Sequence, residues 1–416
     1  FKTSRFFFDN FMKTRFPLIP FLIFVTFFLL VNGYAINVLT PIVPGTILSL
    51  LWVIPIVLLA LLSYSISKLD TNGQTLVFKF SAHALLIYFA SLIVFVLTEL
   101  LTDGYRLISG AISYVSEGNF IYPERPLNGV YLGILLTCLL ILAFIYGISR
   151  GKYAYRVIKH TLYFDELPSA FDGFTITQIS DVHAGSFTNA KQVQKGINLI
   201  NEQQSDLFVF TGDLVNNKAE EIKPWIGHFS QIKAKYGQFS VLGNHDYGDY
   251  VKWENELVKQ GNLQQLKKYH AELGFRLLLD EHIELNKDGQ KIILAGIENW
   301  GLGFGERGDL KKALQGTSVA DFKVLLSHDP SHWEAQVKDN PNKIHLALAG
   351  HTHGMQFGIE AFGIKWSPVK LRYKHWAGIK EENGRVLNVN RGFGFIGFSG
   401  RVGIWPEITV IELKKK

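Results

Sequence analysis

Five short stretches of this 416-residue chain present side chains able to hold a divalent metal ion: Asp181 with His183, Asp213, Asn244 with His245, His328, and His351 with His353. Imidazole offers one ring nitrogen while an acceptor fixes the other. Carboxylate and amide oxygens complete a mixed N/O set suited to Mn, Fe, Zn or Mg. The last pair lies in Gly350-His351-Thr352-His353-Gly354, where flanking glycines let the backbone crowd an ion or a phosphate. By itself that pair is equally well a polar strand end. Five such groups are too many ligands for one ion, and they fit a two-metal site with ions about 3.5–4 Å apart and one carboxylate bridging them.

Each group follows a short apolar run. Phe174–Ser180 alternates and is rich in β-branched residues, and residues 207–211, 239–242, 322–327 and 344–349 are near-continuous apolar stretches. These read as interior strands whose carboxyl ends carry a site, the usual arrangement in an α/β sheet. Residues 189–204 read as a helix with Val193, Ile197 and Ile200 on one face, and 249–273 as a polar helical excursion. Residues 291–297 and 407–413 add two further strands.

The half before residue 160 has a different character. No charged side chain occurs from Pro17 to Ser67, from Phe80 to Thr98, or from Pro126 to Ser149. Each stretch reaches the length needed to cross a bilayer core, so four spanning helices are expected near 17–39, 46–67, 80–101 and 129–149. Residues 40–45, with two prolines and a glycine, make the first turn. The first segment reads as a span; a signal peptide would be shorter and followed by a small-residue cleavage pattern. Because the chain starts at Phe1, a little of the native amino terminus is expected to be missing.

Lys2, Arg5, Lys13 and Arg15 precede the first span, Lys68 and Lys79 lie in the second loop, and Arg150, Lys152, Arg156 and Lys159 follow the fourth. The first loop has no cation, and the third mixes Arg106 and Arg125 with acids. The positive-inside rule then puts both termini in the cytoplasm. The net charge of +6 follows from this topology and from attraction to anionic lipid, so membrane lipid is the expected partner and nucleic acid is not. The single cysteine, Cys138, falls in a span and leaves no disulfide within the chain, which fits a reducing compartment. His83 and Glu99, near the ends of the third span, read as interfacial.

Asp-x-His, Gly-Asp, Gly-Asn-His-Asp, His and Gly-His-x-His in this order over about 174–413 resemble the calcineurin-like metallophosphoesterases. The tail, with Val389-Asn390-Arg391-Gly392-Phe393-Gly394 and Arg401-Val402-Gly403, looks like the membrane-associated branch of YkuE-type and YaeI-type phosphodiesterases. The multi-span half is similar to transmembrane metallophosphoesterases. The resemblance implies an α-helical transmembrane domain (1–159) followed by a binuclear metallophosphoesterase domain (160–416), with two mixed β-sheets sandwiched between helices. It implies that Asp181, His183 and His353 hold one metal, Asn244, His328 and His351 the other, with Asp213 bridging. His245 would then protonate the leaving oxygen after attack by a water that two divalent ions have acidified. Where the Ser/Thr phosphatase branch has an Asp that orients this histidine and then a phosphate-binding Arg, this chain has Asn216 and Asn217. The missing arginine favours a phosphodiester or pyrophosphate over a phosphoprotein.

The expected function is therefore a membrane-anchored hydrolase acting on a lipid or nucleotide-linked substrate at the cytoplasmic face of a bacterial inner membrane. A nucleotide-sugar lipid pyrophosphatase is the nearest variant, and a scaffold or sensor whose metal site only binds a ligand is the alternative. Two Gly-x-Gly-x-x-Gly stretches, 303–308 and 392–397, read as loops bordering the site, and Arg307 as able to reach a substrate phosphate. Arg391 and Arg401 read as structural ion pairs. His332, His345 and His375 read as packing or supporting residues, and Trp366, Tyr373, Trp376, Phe395 and Phe398 as core, with a membrane-facing rim as the alternative.

Overall fold

The computed structural model describes residues 18–67, 76–361 and 363–416. Lys2, Arg5, Lys13, Arg15 and Lys68, on which part of the orientation argument rests, lie outside them. Two compact units separate between Ile145 and Tyr146.

The first unit contains four helices long and apolar enough to cross a membrane: α1 (Leu18–Val38), α2 (Gly45–Ser67), α3 (Leu76–Glu117) and α4 (Leu127–Ser149), whose last turn belongs to the second unit. Three agree closely with the uncharged stretches. The third does not stop near 101. Its 42 residues rise about 63 Å at about 1.5 Å each, roughly twice the thickness of a bilayer core. No proline interrupts residues 102–117, and the Asp103–Arg106 pair one turn apart supports the continuation.

Glu99, expected at the interface, is fully buried against the protein and bonds Arg125 at 2.6 Å. Arg125 also reaches Asp103 at 2.6 Å, and Asp103 accepts the Tyr34 hydroxyl at 2.6 Å. The cluster ties the first helix, the third helix and the loop before the fourth. His83 bonds the Lys79 carbonyl one turn earlier.

In the second unit, β1 (Arg156–Phe164), β2 (Thr175–Ile179), β3 (Leu207–Thr211), β4 (Gln238–Val241), β5 (Arg276–Leu277) and β16 (Glu407–Lys415) form one sheet in the order β1-β16-β2-β3-β4-β5. A second sheet has the order β14-β15-β11-β10-β7-β6. It uses β6 (Glu281–Lys287), β7 (Gln290–Gly296), β10 (Lys323–Leu326), β11 (Leu346–Ala349), β14 (Gly378–Glu382) and β15 (Arg385–Val389). Two small ribbons complete the set: β8 (Trp300–Gly301) with β9 (Gly305–Glu306), and β12 (Ile359–Ala361) with β13 (Ile364–Trp366).

The continuous apolar runs are explained by burial on both faces. Leu207 and Val209 face a core shared by both sheets, with Val324, Leu326, Leu346 and Leu348 opposite. Their neighbours Phe208 and Phe210 turn to an outer core with Val193, Ile197 and Ile200 of the helix Ala190–Asn201. Leu325, Ala347 and Ala349 pack outward from the second sheet. The result is the expected pair of mixed sheets between outer layers. A boundary at 159/160 would cut β1, whose nine residues pair in parallel with β16. Its Arg156, Lys159 and His160 suit an edge strand and disguise it in the sequence.

Replacing Arg125 by Ala should strand the buried Glu99 charge and destabilise the helical unit by about 3–5 kcal/mol. Thermal unfolding of the detergent-solubilised chain reads this, and adding Glu99→Gln should recover part of the loss. Equal losses in the single and double variants would exclude the buried-charge account.

Candidate metal centre

Strands β2, β3 and β4 run parallel, as do β10 and β11, so their carboxyl ends open on one edge of each sheet. Five of the side chains expected there sit on left-handed backbone: Asp181 (φ 53°), His183 (47°), Asp213 (62°), His351 (70°) and His353 (50°). Non-glycine residues avoid this region, and its accumulation at one place marks strain held by the surrounding fold. Glycine fills the tightest approaches. A Cβ at Gly350 would lie 1.8 Å from Ser180 Oγ and 2.4 Å from Asp181 Oδ2, and one at Gly243 would lie 2.2 Å from Asp213 Oδ1.

Two groups of ligand atoms result. Asp181, His183 and His353 each offer an atom within 4.8 Å of the others, and so do Asp213, His328 and His351. In the first, the Nε2 atoms of His183 and His353 approach to 3.0 Å, with Asp181 Oδ1 at 3.2 Å from His353 Nε2. In the second, His351 Nδ1 lies 2.8 Å from Asn244 Oδ1 and 3.3 Å from His328 Nε2. Asp213 Oδ2 stands between the groups, 3.5 Å from His183 Nε2 and 3.2 Å from His328 Nε2.

The other ring nitrogens of His328 and His351 are fixed in ways that leave these atoms free. His328 donates Nδ1–H to the Thr211 carbonyl at 2.7 Å, and His351 Nε2 faces Asp329 Oδ2 at 3.4 Å. Asn244 donates its amide N–H to the Tyr250 hydroxyl at 2.7 Å, which turns its oxygen inward. Such partners orient metal-binding groups. The mixed donor set, the shared carboxylate and the glycine cradle all fit a pair of divalent ions.

Electrostatics agree. Burial alone would raise the Asp181 carboxyl, but facing His353 and His328 hold it well below the ordinary range. Asp213, equally buried, is held down by His328, His245 and His183. Burial pushes His183 well below the usual imidazole value, keeping it neutral and able to donate electrons.

His245 is positioned differently from expectation. Its Nδ1–H goes to the main-chain carbonyl of Asn216 at 2.7 Å, while the Asn216 side chain pairs with Ser186. The side chain at 216 therefore does not orient the histidine. Arg307 is held by Asp249 at 2.7 Å and stacks on Tyr247, so it is already engaged. Arg391 forms ion pairs with Glu407 and Glu360, as expected. Arg401 does not: it donates to the carbonyls of Gly392 and Gly394 and lies 3.2 Å from His353 Nδ1. His332 bonds Ser327 and His345 accepts from the Lys323 amide, both packing roles. His375 joins Glu334 and Glu382 in a separate outer group in which Lys338 neutralises both acids.

Asp246, fourth in Gly-Asn-His-Asp, is a supporting residue whose task shows only in the fold. Its carboxylate accepts the amides of Gly243, Asp213, Leu214 and Val215, bracing two loops at once. Burial and the nearby Asp213 push it up to about 7. Asp246→Ala strands four buried N–H groups at about 1–3 kcal/mol each, so the second unit should lose several kcal/mol. Its unfolding temperature and metal content should fall together, with Asp246→Asn intermediate; unchanged values would remove the bracing role.

Residues 174–355 match the family model of the calcineurin-like phosphoesterases. Residues 15–152 match that of a probable calcineurin-like phosphoesterase transmembrane domain. YkuE of Bacillus subtilis, called an uncharacterized metallophosphoesterase, is 29% identical over 274 residues, covering 65% of this chain and 90% of its own. A transmembrane protein with metallophosphoesterase domain from Danio rerio is 27% identical over 292 residues, 68% of this chain, which spans 62% of that protein. Residues 174–355 thus match a calcineurin-like phosphoesterase domain and residues 15–152 that family's transmembrane domain, which supports a membrane-anchored hydrolase of phosphoric esters.

Proposed function

We propose that this membrane-anchored phosphoesterase cleaves a phosphodiester or pyrophosphate bond in a lipid or nucleotide-linked substrate. The observation that carries the reading is the Asp213 carboxylate standing between two ligand groups, within 3.5 Å of a histidine from each. Asp181, His183 and His353 would hold one divalent ion, Asn244, His328 and His351 the other, and Asp213 both. When bound, the ions supply a water acidic enough to attack phosphorus near neutral pH and charge to offset that developing on the phosphoryl oxygens.

The chain's own groups supply the rest. His245, anchored through Nδ1 and packed on the Tyr250 ring at 4.5 Å, directs Nε2 for proton transfer to the departing oxygen. An amide at 217 and the engagement of Arg307 deny a dianionic monoester a forked arginine at these two points, which supports a diester or pyrophosphate. The helical anchor supports the lipid part of the reading. A sensor with a merely ligand-binding site would tolerate loss of ligands, and none of the seven is lost.

We assign the catalytic unit to the cytoplasmic face of a bacterial inner membrane. Arg150, Lys152, Arg156 and Lys159 immediately after the fourth helix support that orientation, and likeness to the Bacillus subtilis protein supports the bacterial setting.

Hydrolysis of bis(p-nitrophenyl) phosphate by the full chain in detergent with Mn²⁺ tests the chemistry. His245→Ala should lower kcat by about 10²–10⁴ with both ions retained. Asp213→Asn should abolish activity and Asn216→Ala should leave it nearly intact. By metal analysis, His351→Ala and His353→Ala should each lose one ion of the two. Activity that survives Asp213→Asn or needs no metal would overturn the hydrolytic reading. Orientation has a separate test: green fluorescent protein fused after Lys416 should fluoresce and alkaline phosphatase there should be inactive, and the reverse would place the unit outside.

A further inference from the structure

The ribbon β12–β13 belongs to neither large sheet, and a lone two-stranded ribbon of three residues per strand has little stability of its own. One of its faces, formed by the pairs Ile359–Trp366 and Ala361–Ile364, is apolar. Ile359, Ile364 and Trp366 are exposed, as are Met355 just before it and Leu371 just after, the last at 93%. Trp366 thus departs from the core role expected of the tail aromatics, whereas Tyr373, Trp376 and Phe395 are buried as expected. The same segment, 359–374, has Lys365, Lys370, Arg372 and Lys374 against one acid, Glu360, which Arg391 neutralises. Lys370, Arg372 and Lys374 are exposed and make no ion pair among the described residues.

The root of this ribbon is fixed at the end of the fourth apolar helix. The Gly358 amide donates to the Val402 carbonyl at 3.0 Å, and Val402 bridges to Phe357. The adjoining Arg401 amide donates to the Gly147 carbonyl in the last helical turn at 3.2 Å. A Cβ at Gly147 or Gly151 would lie 2.5 or 2.6 Å from the Arg401 carbonyl oxygen, so the contact leaves no slack. The 23 residues of that helix rise about 34 Å, enough to cross the core, which places its last turn at a membrane surface.

We propose that the β12–β13 ribbon with Met355 and Leu371 docks into the lipid headgroup layer of the bilayer that holds this chain's own helices. A tryptophan and aliphatic side chains interleaved with cations that make no ion pair suit an anionic leaflet surface, and the tether to Gly147 keeps the patch at that depth. Met355 is two residues from His353, so the docked ribbon forms one rim of the metal-binding loops. The proposal stands without any assumption about the reaction, since it concerns only what covers this surface.

The single native cysteine makes a direct test available. In a Cys138→Ser background, nitroxide labels at Ile364→Cys and Leu371→Cys of the full chain are read by electron paramagnetic resonance. The bilayers contain phosphatidylcholine and phosphatidylglycerol. Collisions with oxygen should dominate over those with an aqueous nickel chelate, as at Leu139→Cys on the fourth helix, whereas Val319→Cys on the second unit should show the opposite. Lys370→Glu, Arg372→Glu and Lys374→Glu together should shift the Leu371 label toward the aqueous reagent. Labels at 364 and 371 that behave like the one at 319 would overturn the proposal. So would labels shielded from both reagents, which would show a second copy of the chain on this surface.

Discussion

The second unit depends on one crowded set of ligand atoms with the Asp213 carboxylate standing among them. Two imidazole nitrogens meet at 3.0 Å, an amide oxygen meets a third at 2.8 Å, and a buried carboxylate lies within 3.5 Å of one of the first two and of a fourth. Much of the unit's architecture serves to hold this arrangement in place. The parallel strands bring five loops to a common edge, and left-handed backbone turns the side chains inward from loops too short to do so otherwise. Asp246 ties the loop of Asp213 to the loop of Asn244, and the Asp181 carboxylate accepts the His351 amide at 2.9 Å, linking the two sheets. The positive-φ backbone is held by many small contacts, each replaceable at a cost.

The side chains that converge were legible in the sequence because metal binding restricts residue type strongly, and strand ends restrict position. Asp181, His183, Asp213, Asn244, His328, His351 and His353 all reach the two groups. Their supports were less legible, since a supporting contact can come from any element that passes nearby. Asp329 behind His351 and Tyr250 behind Asn244 are ordinary polar residues in the sequence. The Asn216 carbonyl that fixes His245 is main chain, so no residue type could have announced it. The fold followed the same division. Interior strands were plain from continuous apolar runs, whereas β1 was hidden by the charges of an edge and β14 and β15 by their mixed character. The third helix was cut short because hydropathy measures what crosses a bilayer and does not report how far a helix continues beyond it.

Arg401 shows what a sequence reading misses when a charge has an unusual partner. A buried arginine ordinarily implies a carboxylate, as Arg391 has in Glu407 and Glu360. Arg401 is buried among carbonyl oxygens instead, and burial pushes it down to about 10 with Asp181 opposing that fall. Its guanidinium stitches the 392–394 loop beneath the first ligand group while its main chain grips the last turn of the fourth helix. One residue therefore reaches from the exit of the apolar segment to the Nδ1 side of His353. Any tilt of that helical turn must either move this loop or break the Gly147 contact, because glycine at 147 and 151 has already removed the clearance that would absorb it.

The carbonyl behind His245 also bears on the chemistry. A carboxylate in that place would fix the ring's direction and stabilise its protonated form, and a carbonyl does the first with only a dipole for the second. The main chain thus sets the direction of the His245 ring, with no carboxylate of its own behind Nδ1. That arrangement asks only for a carbonyl at this point, whatever side chain position 216 carries. It makes little use of a dedicated second acid behind the ring, so an asparagine at 216 is no handicap.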